Sequence, residues 1–141
     1  MITGIHHVTA IARGAQTNFD FYTQVLGLRL VKRTVNFDDP GTYHLYYGNE
    51  LGAPGSILTF FPWPLARPGR SGAGQATVTS FSVPADALGR WQERLQGSGV
   101  ETRQRQAPRG ESERLSFFDP DGLALELVGR DDSREPWLDG P

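Results

Sequence analysis

The stretch AQTNFDFYTQVLGLRL, residues 15–30, decides the fold. Phe19, Tyr22, Val25 and Leu26 recur at spacings of three, three and one, which predicts one apolar face of a helix about three turns long. Gly27 supplies the residue that ends it, and a strand-like run begins at Leu28. Upstream, GIHHVTAI (residues 4–11) alternates, with Ile5, His7, Thr9 and Ile11 on one face and His6, Val8 and Ala10 on the other. That pattern predicts a strand and separates the adjacent histidines onto opposite faces. Downstream, residues 28–35, 42–47 and 56–61 read as strands broken by the turn formers DDPG and GNELGAPG. The first half is therefore expected to be βαβββ.

A Pro/Gly/Ser-rich stretch, PWPLARPGRSGAGQ, interrupts regular structure, and then the pattern starts again. ATVTSFSVP alternates as a strand, and DALGRWQERLQGSG carries Leu88, Trp91 and Leu95 on one helical face before Gly97 and Gly99. Residues 100–105, 114–118 and 123–128 supply three more strands, the last two joined by the turn DPDG. Leu26 and Leu95 mark equivalent helix ends roughly 70 residues apart, the signature of an internal duplication. The expected class is α+β: two βαβββ modules forming a cup-shaped mixed sheet, with helices on its outer face. Module one spans 1–62, a connector 63–74 and module two 75–130. Residues 131–141, DDSREPWLDGP, read as a tail or an interdomain linker.

Composition narrows the chemistry. With 141 residues, 38% hydrophobic and 21% charged, the chain suits one modest core, and a formal charge of -2 gives no electrostatic case for nucleic acid. There is no cysteine, so disulfides, thiolate metal sites and cysteine nucleophiles are excluded, and His, Asp and Glu remain as strong ligands. The start lacks the pattern of a secretory signal, and the expected location is cytoplasmic. The longest apolar run, SILTFFPWPL, is too short and proline-broken to span a membrane.

In LALELV, residues 123–128, the leucines share one face and Glu126 the other, where a carboxylate between Ala124 and Val128 needs a partner. His7 faces the same requirement, and for both the alternative is a half-buried polar group satisfied by hydrogen bonds. His44 shares a strand face with Thr42 and Tyr46. It could approach the same site or serve as a hydrogen-bonded sheet residue. Asp119 and Asp121, like Asp38 and Asp39, read as turn formers beside Pro and Gly. Tyr43, Tyr46, Tyr47, Phe60, Phe61 and Trp63 could line a pocket for a flat ring, or equally be core or interface. GRSGAG lacks the Lys-Ser/Thr ending and the strand-to-helix setting of a phosphate loop.

IHHVTAI, DFYTQVLGLRL, DPDGLALELV and the doubled βαβββ order together resemble the glyoxalase, bleomycin-resistance and extradiol-dioxygenase superfamily, the vicinal oxygen chelate proteins, over essentially the whole chain. The resemblance implies up to four metal-ligand positions, falling here on His7, Leu58, Val78 and Glu126. Leu58 and Val78 cannot coordinate a metal, which disfavours glyoxalase chemistry. GIHHVT, LVKRTVNFDDPGTYHLYYG, LTFFPWP and SFSVP are more particularly similar to the N-terminal half of hydroquinone-type ring-cleaving dioxygenases, which have about twice this length. That resemblance implies Fe(II) or Mn(II) held by two histidines and a glutamate, a dihydroxylated aromatic substrate and dioxygen. It makes His7 a ligand, Glu126 a possible one, and His6 and Thr9 site residues around the metal. It implies either a metal site completed by a homodimer or by a missing C-terminal half, or a chain without the metal. The rival expectation is a metal-free dimeric module that binds a flat hydrophobic ligand, as drug-sequestering members do.

Overall fold

The computed structural model describes residues 4–70, 72–105 and 112–130; residues 131–141, read above as a tail or linker, lie outside the described residues. The chain divides into two compact units between Arg67 and Pro68. In the first, β1 (His7–Ala12) leads into α1 (Ala15–Asp20), followed by β2 (Arg29–Val35), β3 (Tyr43–Gly48) and β4 (Ile57–Pro62). In the second, β5 (Thr79–Val83) precedes a short 3₁₀ turn (Ala85–Ala87) and α2 (Leu88–Gly97), and then β6 (Arg103–Arg105), β7 (Arg114–Phe118) and β8 (Ala124–Gly129). Each unit has its own four-stranded mixed sheet, ordered β1-β4-β3-β2 and β5-β8-β7-β6. In both, the first and last strands run parallel and the remaining pairs antiparallel. The doubled βαβββ order predicted from the sequence is the observed one.

The first helix departs from its predicted stripe. After Asp20 it continues as a π-turn over Phe21–Val25, with Leu26 N–H donating to Phe21 O at 3.0 Å. The extra residue rotates the buried face, so Asn18, Phe21, Tyr22 and Leu26 go inside while Phe19 and Val25 stay half-buried. Gly27 then takes φ 68 and Leu28 N–H reaches back to Tyr22 O at 2.9 Å. The equivalent exit from α2 lacks the extra residue. There Gly99 has φ 77, its N–H meets Gln96 O, and Val100 N–H meets Leu95 O, both at 2.9 Å. Those two bonds form a Schellman ending, with glycine where a left-handed residue is required.

Strand alternation sorts each sheet into a helix-covered face and an opposite face. In module one, Tyr22 stacks on Tyr47 (ring centroids 5.1 Å apart) and tilts onto Phe60 (4.7 Å). Ala12, Leu45 and Leu58 share that buried face. In module two, Leu88, Trp91 and Leu95 of α2 are buried together with Val83, Leu115, Phe117, Leu125 and Leu127. A Cβ at Gly129 would lie 2.8 Å from Leu88 Cδ1, so the end of β8 sits directly under the start of α2. Burying one such side chain contributes about 1.5–3 kcal/mol, and these two clusters carry most of the stability.

One buried polar pair interrupts the first cluster. Tyr47 O–H donates to Asn18 Oδ1 at 2.9 Å, while Asn18 Nδ2 is buried with no partner among the described residues. Burial, and then the charge of Asp20, push the Tyr47 phenol far above its ordinary range, so it stays a donor. Among the described residues no helix is long and apolar enough to cross a membrane.

Candidate functional site

The face of module one turned away from α1 collects the polar and aromatic side chains. The parallel register pairs His7 with Ile57 and Thr9 with Thr59, and the antiparallel register pairs Thr59 with Tyr46 and Thr34 with His44. His7, Thr9, Thr59, His44, Tyr46 and Phe61 therefore share one side of the sheet. A bulge between Leu30 and Lys32 shifts the β2 register. It turns Lys32 onto this side, with Nζ 5.6 Å from the centre of the Tyr46 ring.

β4 corrects one expectation. Leu58, matched above to a ligand position, belongs to the helix-covered core and is 1% exposed. The β4 residue on the His7 face is Thr59, because a parallel partner of Thr9 must share its side of the pleat. Thr59 was legible only once that register was known. The two early histidines are also not separated. β1 begins at His7, so His6 precedes the pleat, and the two imidazoles meet with Nδ1 atoms 3.0 Å apart and rings nearly perpendicular.

Side-chain bonds join most of this face. Thr59 Oγ1 donates to Thr9 Oγ1 at 2.9 Å, His44 Nε2 lies 3.0 Å from Thr59 Oγ1, and Tyr46 Oη lies 2.9 Å from His44 Nδ1. The His44 ring is held between Tyr46 and Phe61, with centroids at 4.1 and 4.0 Å, and Phe61 stacks in turn on Trp63 at 6.0 Å. Burial pushes the His44 imidazole below its ordinary pKa, and the charges of His7 and Lys32 push it further, so it is neutral near pH 7. Both its nitrogens are engaged, which makes it a sheet residue inside the network. Of the candidate aromatics, Tyr47 and Phe60 are core, whereas Tyr46, Phe61 and Trp63 lie along this row.

Module two presents a different face. Leu125 and Leu127 pack inward as their alternation predicts, and Glu126 lies on the other side, 9% exposed. Its carboxylate is already occupied. Arg114 Nη1 and Ser80 Oγ each donate to Oε2 at 3.1 Å, and Ser116 Oγ lies 3.5 Å from Oε1. Ser80 and Ser116 are its cross-strand neighbours on β5 and β7. Val78 precedes β5 and is 42% exposed. In the DPDG turn, Asp119 Oδ1 accepts the N–H groups of Asp121 and Leu123 at 2.9 and 2.8 Å, the turn role expected of it. Among the described residues, no three His, Asp or Glu side chains gather as a metal-binding group.

A family model described as the Glyoxalase/Bleomycin resistance protein/Dioxygenase superfamily matches residues 4–127. The chain belongs to this superfamily. Within it, the chain is 55% identical over 129 residues to the Bacillus subtilis (strain 168) protein named "Putative ring-cleaving dioxygenase MhqO", a match covering 92% of this chain and 41% of that protein. It is 39% identical over 141 residues to the chlorohydroquinone/hydroquinone 1,2-dioxygenase of Sphingobium indicum, covering 96% of this chain and 44% of the other. A crystal structure of a dioxygenase, called putative, from Bacillus subtilis subsp. subtilis str. 168 superposes with a TM-score of 0.86 at 55% identity, covering 91% of this chain and 41% of that one. This superfamily chain thus spans about two-fifths of the length of the relatives it matches.

Proposed function

We propose that this chain is a ring-cleaving dioxygenase-type domain of the glyoxalase superfamily and that it contributes His7 to an Fe(II) or Mn(II) centre acting on a dihydroxylated aromatic. The observation that carries this reading is the shared face of His7 and Thr9, flanked by the Tyr46, Phe61 and Trp63 rings, in a chain 39% identical to a hydroquinone dioxygenase. A flat ring bound there would meet aromatic surface on one side and hydroxyl and imidazole donors on the other.

The donor set fits such a metal at His7 and less readily at Glu126. Only one of the two Nδ1 atoms joining His6 and His7 can carry the bridging proton. If His7 Nδ1–H donates to His6 Nδ1, the His7 Nε2 lone pair is left for a metal, and His6 keeps an Nε2–H to offer a substrate oxygen. Thr9, two residues on along the same face, adds a hydroxyl. Glu126 is already paired with Arg114, so the other ligands of a metal on His7 would come from a longer chain or a second copy. The chemistry supplied by such a metal is polarisation of the ring oxygens and an open position for dioxygen.

Metal analysis of the purified protein and of His7→Ala tests the assignment. Loss of iron or manganese in the variant is expected, and unchanged content would refute His7 as a ligand. A second reading, a metal-free module for a flat hydrophobic ligand, is favoured by the occupied Glu126 carboxylate and the exposed Val78. Stoichiometric binding of such a ligand that persists in EDTA would establish it in place of the first.

A further inference from the structure

We propose that Tyr46, His44 and Thr59 form a directed hydrogen-bond chain that holds Thr9 Oγ1 as a donor toward an anionic oxygen of the bound ring. What Thr9 meets rests on the dioxygenase-type reading above; the chain itself rests on the geometry of module one alone. Its links measure 2.9 Å (Tyr46 Oη to His44 Nδ1), 3.0 Å (His44 Nε2 to Thr59 Oγ1) and 2.9 Å (Thr59 Oγ1 to Thr9 Oγ1). A neutral imidazole has one N–H and one lone pair, and a hydroxyl has one proton, so fixing the direction of any link fixes all of them.

Tyr46 sets the direction. A phenol is a stronger donor and a poorer acceptor than an alkyl hydroxyl, so Tyr46 O–H donates to Nδ1 and His44 carries its proton on Nε2. That proton goes to Thr59, which is fully buried and passes its own to Thr9, which is exposed. The Thr9 proton is then the one left to point outward. The reverse direction would turn the proton of the half-buried Tyr46 away from His44 and make Thr9 spend its only one on Thr59.

Packing keeps the chain in register. Clamping between Tyr46 and Phe61 removes the freedom His44 would need to reorient, and a chain of aligned bonds strengthens each member by about 10–30%. His44 and Tyr46 are thus positioning residues, acting on the ligand through Thr9.

Two measurements test this on the protein as it is expressed. Long-range ¹H–¹⁵N NMR of histidine-labelled protein, with the His44 signals assigned by their loss in His44→Gln, should show the Nε2–H tautomer; Nδ1–H would overturn the proposal. Anaerobic titration of iron-loaded protein with hydroquinone should show binding weakened roughly threefold to tenfold in Tyr46→Phe and Thr59→Val. Iron content should stay at the wild-type level in Tyr46→Phe. His44→Phe should lose as much, whereas His44→Gln, whose amide both donates and accepts, should recover most of it. Equal binding by His44→Phe and His44→Gln, or unweakened binding by Tyr46→Phe, would overturn the chain. If the wild type fails to bind hydroquinone at all, the role of Thr9 toward a ring oxygen falls, while the tautomer still decides the direction of the chain.

Discussion

Replacing Arg114 by Met separates two possible roles for Glu126. The ion pair is lopsided, with the Arg114 side chain 43% exposed and that of Glu126 only 11%. Breaking a fully buried pair costs about 3–5 kcal/mol. An exposed pair contributes about 0–1 kcal/mol. The variant leaves a buried carboxylate with one good bond, from Ser80 at 3.1 Å, and a marginal one, from Ser116 at 3.5 Å. The cost should therefore fall between those limits, at about 1–3 kcal/mol. Urea unfolding followed by tryptophan fluorescence suits the measurement, because Trp91 is buried in the same module. The midpoint should fall with little change in slope. The double variant Arg114→Met/Glu126→Leu should recover much of the loss, since removing both charges removes the desolvation penalty. Unchanged stability in Arg114→Met would refute the structural role of the pair. A gain of bound iron or manganese in the same variant would identify Glu126 as a ligand that Arg114 competes for.

Three further outcomes follow from the same structure. Tyr47→Phe strips the remaining partner from buried Asn18 and should cost about 1–3 kcal/mol in urea unfolding, with Asn18→Leu/Tyr47→Phe less destabilised than the single variant. The lowered pKa of His44 means that the unfolded chain binds its proton first. The contribution of that site to stability is complete above the unfolded value of 6.5 and is lost as pH falls through the lower folded value. Urea midpoints should thus drop more steeply in the wild type than in His44→Gln as pH falls from 6.5 toward the folded value. Leu58→Ala should cost about 2–5 kcal/mol as a core truncation, and a near-neutral result would return Leu58 to the open face.

The sequence was most legible where period alone fixes structure. Leu88, Trp91 and Leu95 mark the buried side of α2, and the alternation of LALELV puts its leucines in and Glu126 out. It was least legible where the outcome depends on partners distant in sequence. Nothing local to residues 15–30 announces a π-turn, which pays off only when Tyr22 meets Tyr47 and Phe60. The family resemblance matched a ligand position to Leu58, whereas the β1–β4 register assigns that face to Thr59, one residue away. A slip of one residue is enough to exchange core for surface. The meeting of His6 and His7 escaped alternation for a similar reason, because the pleat starts only at His7.

The duplication explains why the two modules need not do the same chemistry. Each is held by the face its helix covers, so the opposite face is free to differ without cost to the fold. Module one carries on that face an exposed histidine pair, a threonine pair and a histidine whose charge is suppressed by burial, with Lys32 over the Tyr46 ring. Module two pairs its carboxylate with a guanidinium. An Arg–carboxylate pair anchored by two cross-strand serines satisfies the buried Glu126 within module two itself. The two modules thus differ at the positions their folding does not fix: the open face of module two carries a closed ion pair, and that of module one an imidazole pair and a hydroxyl network.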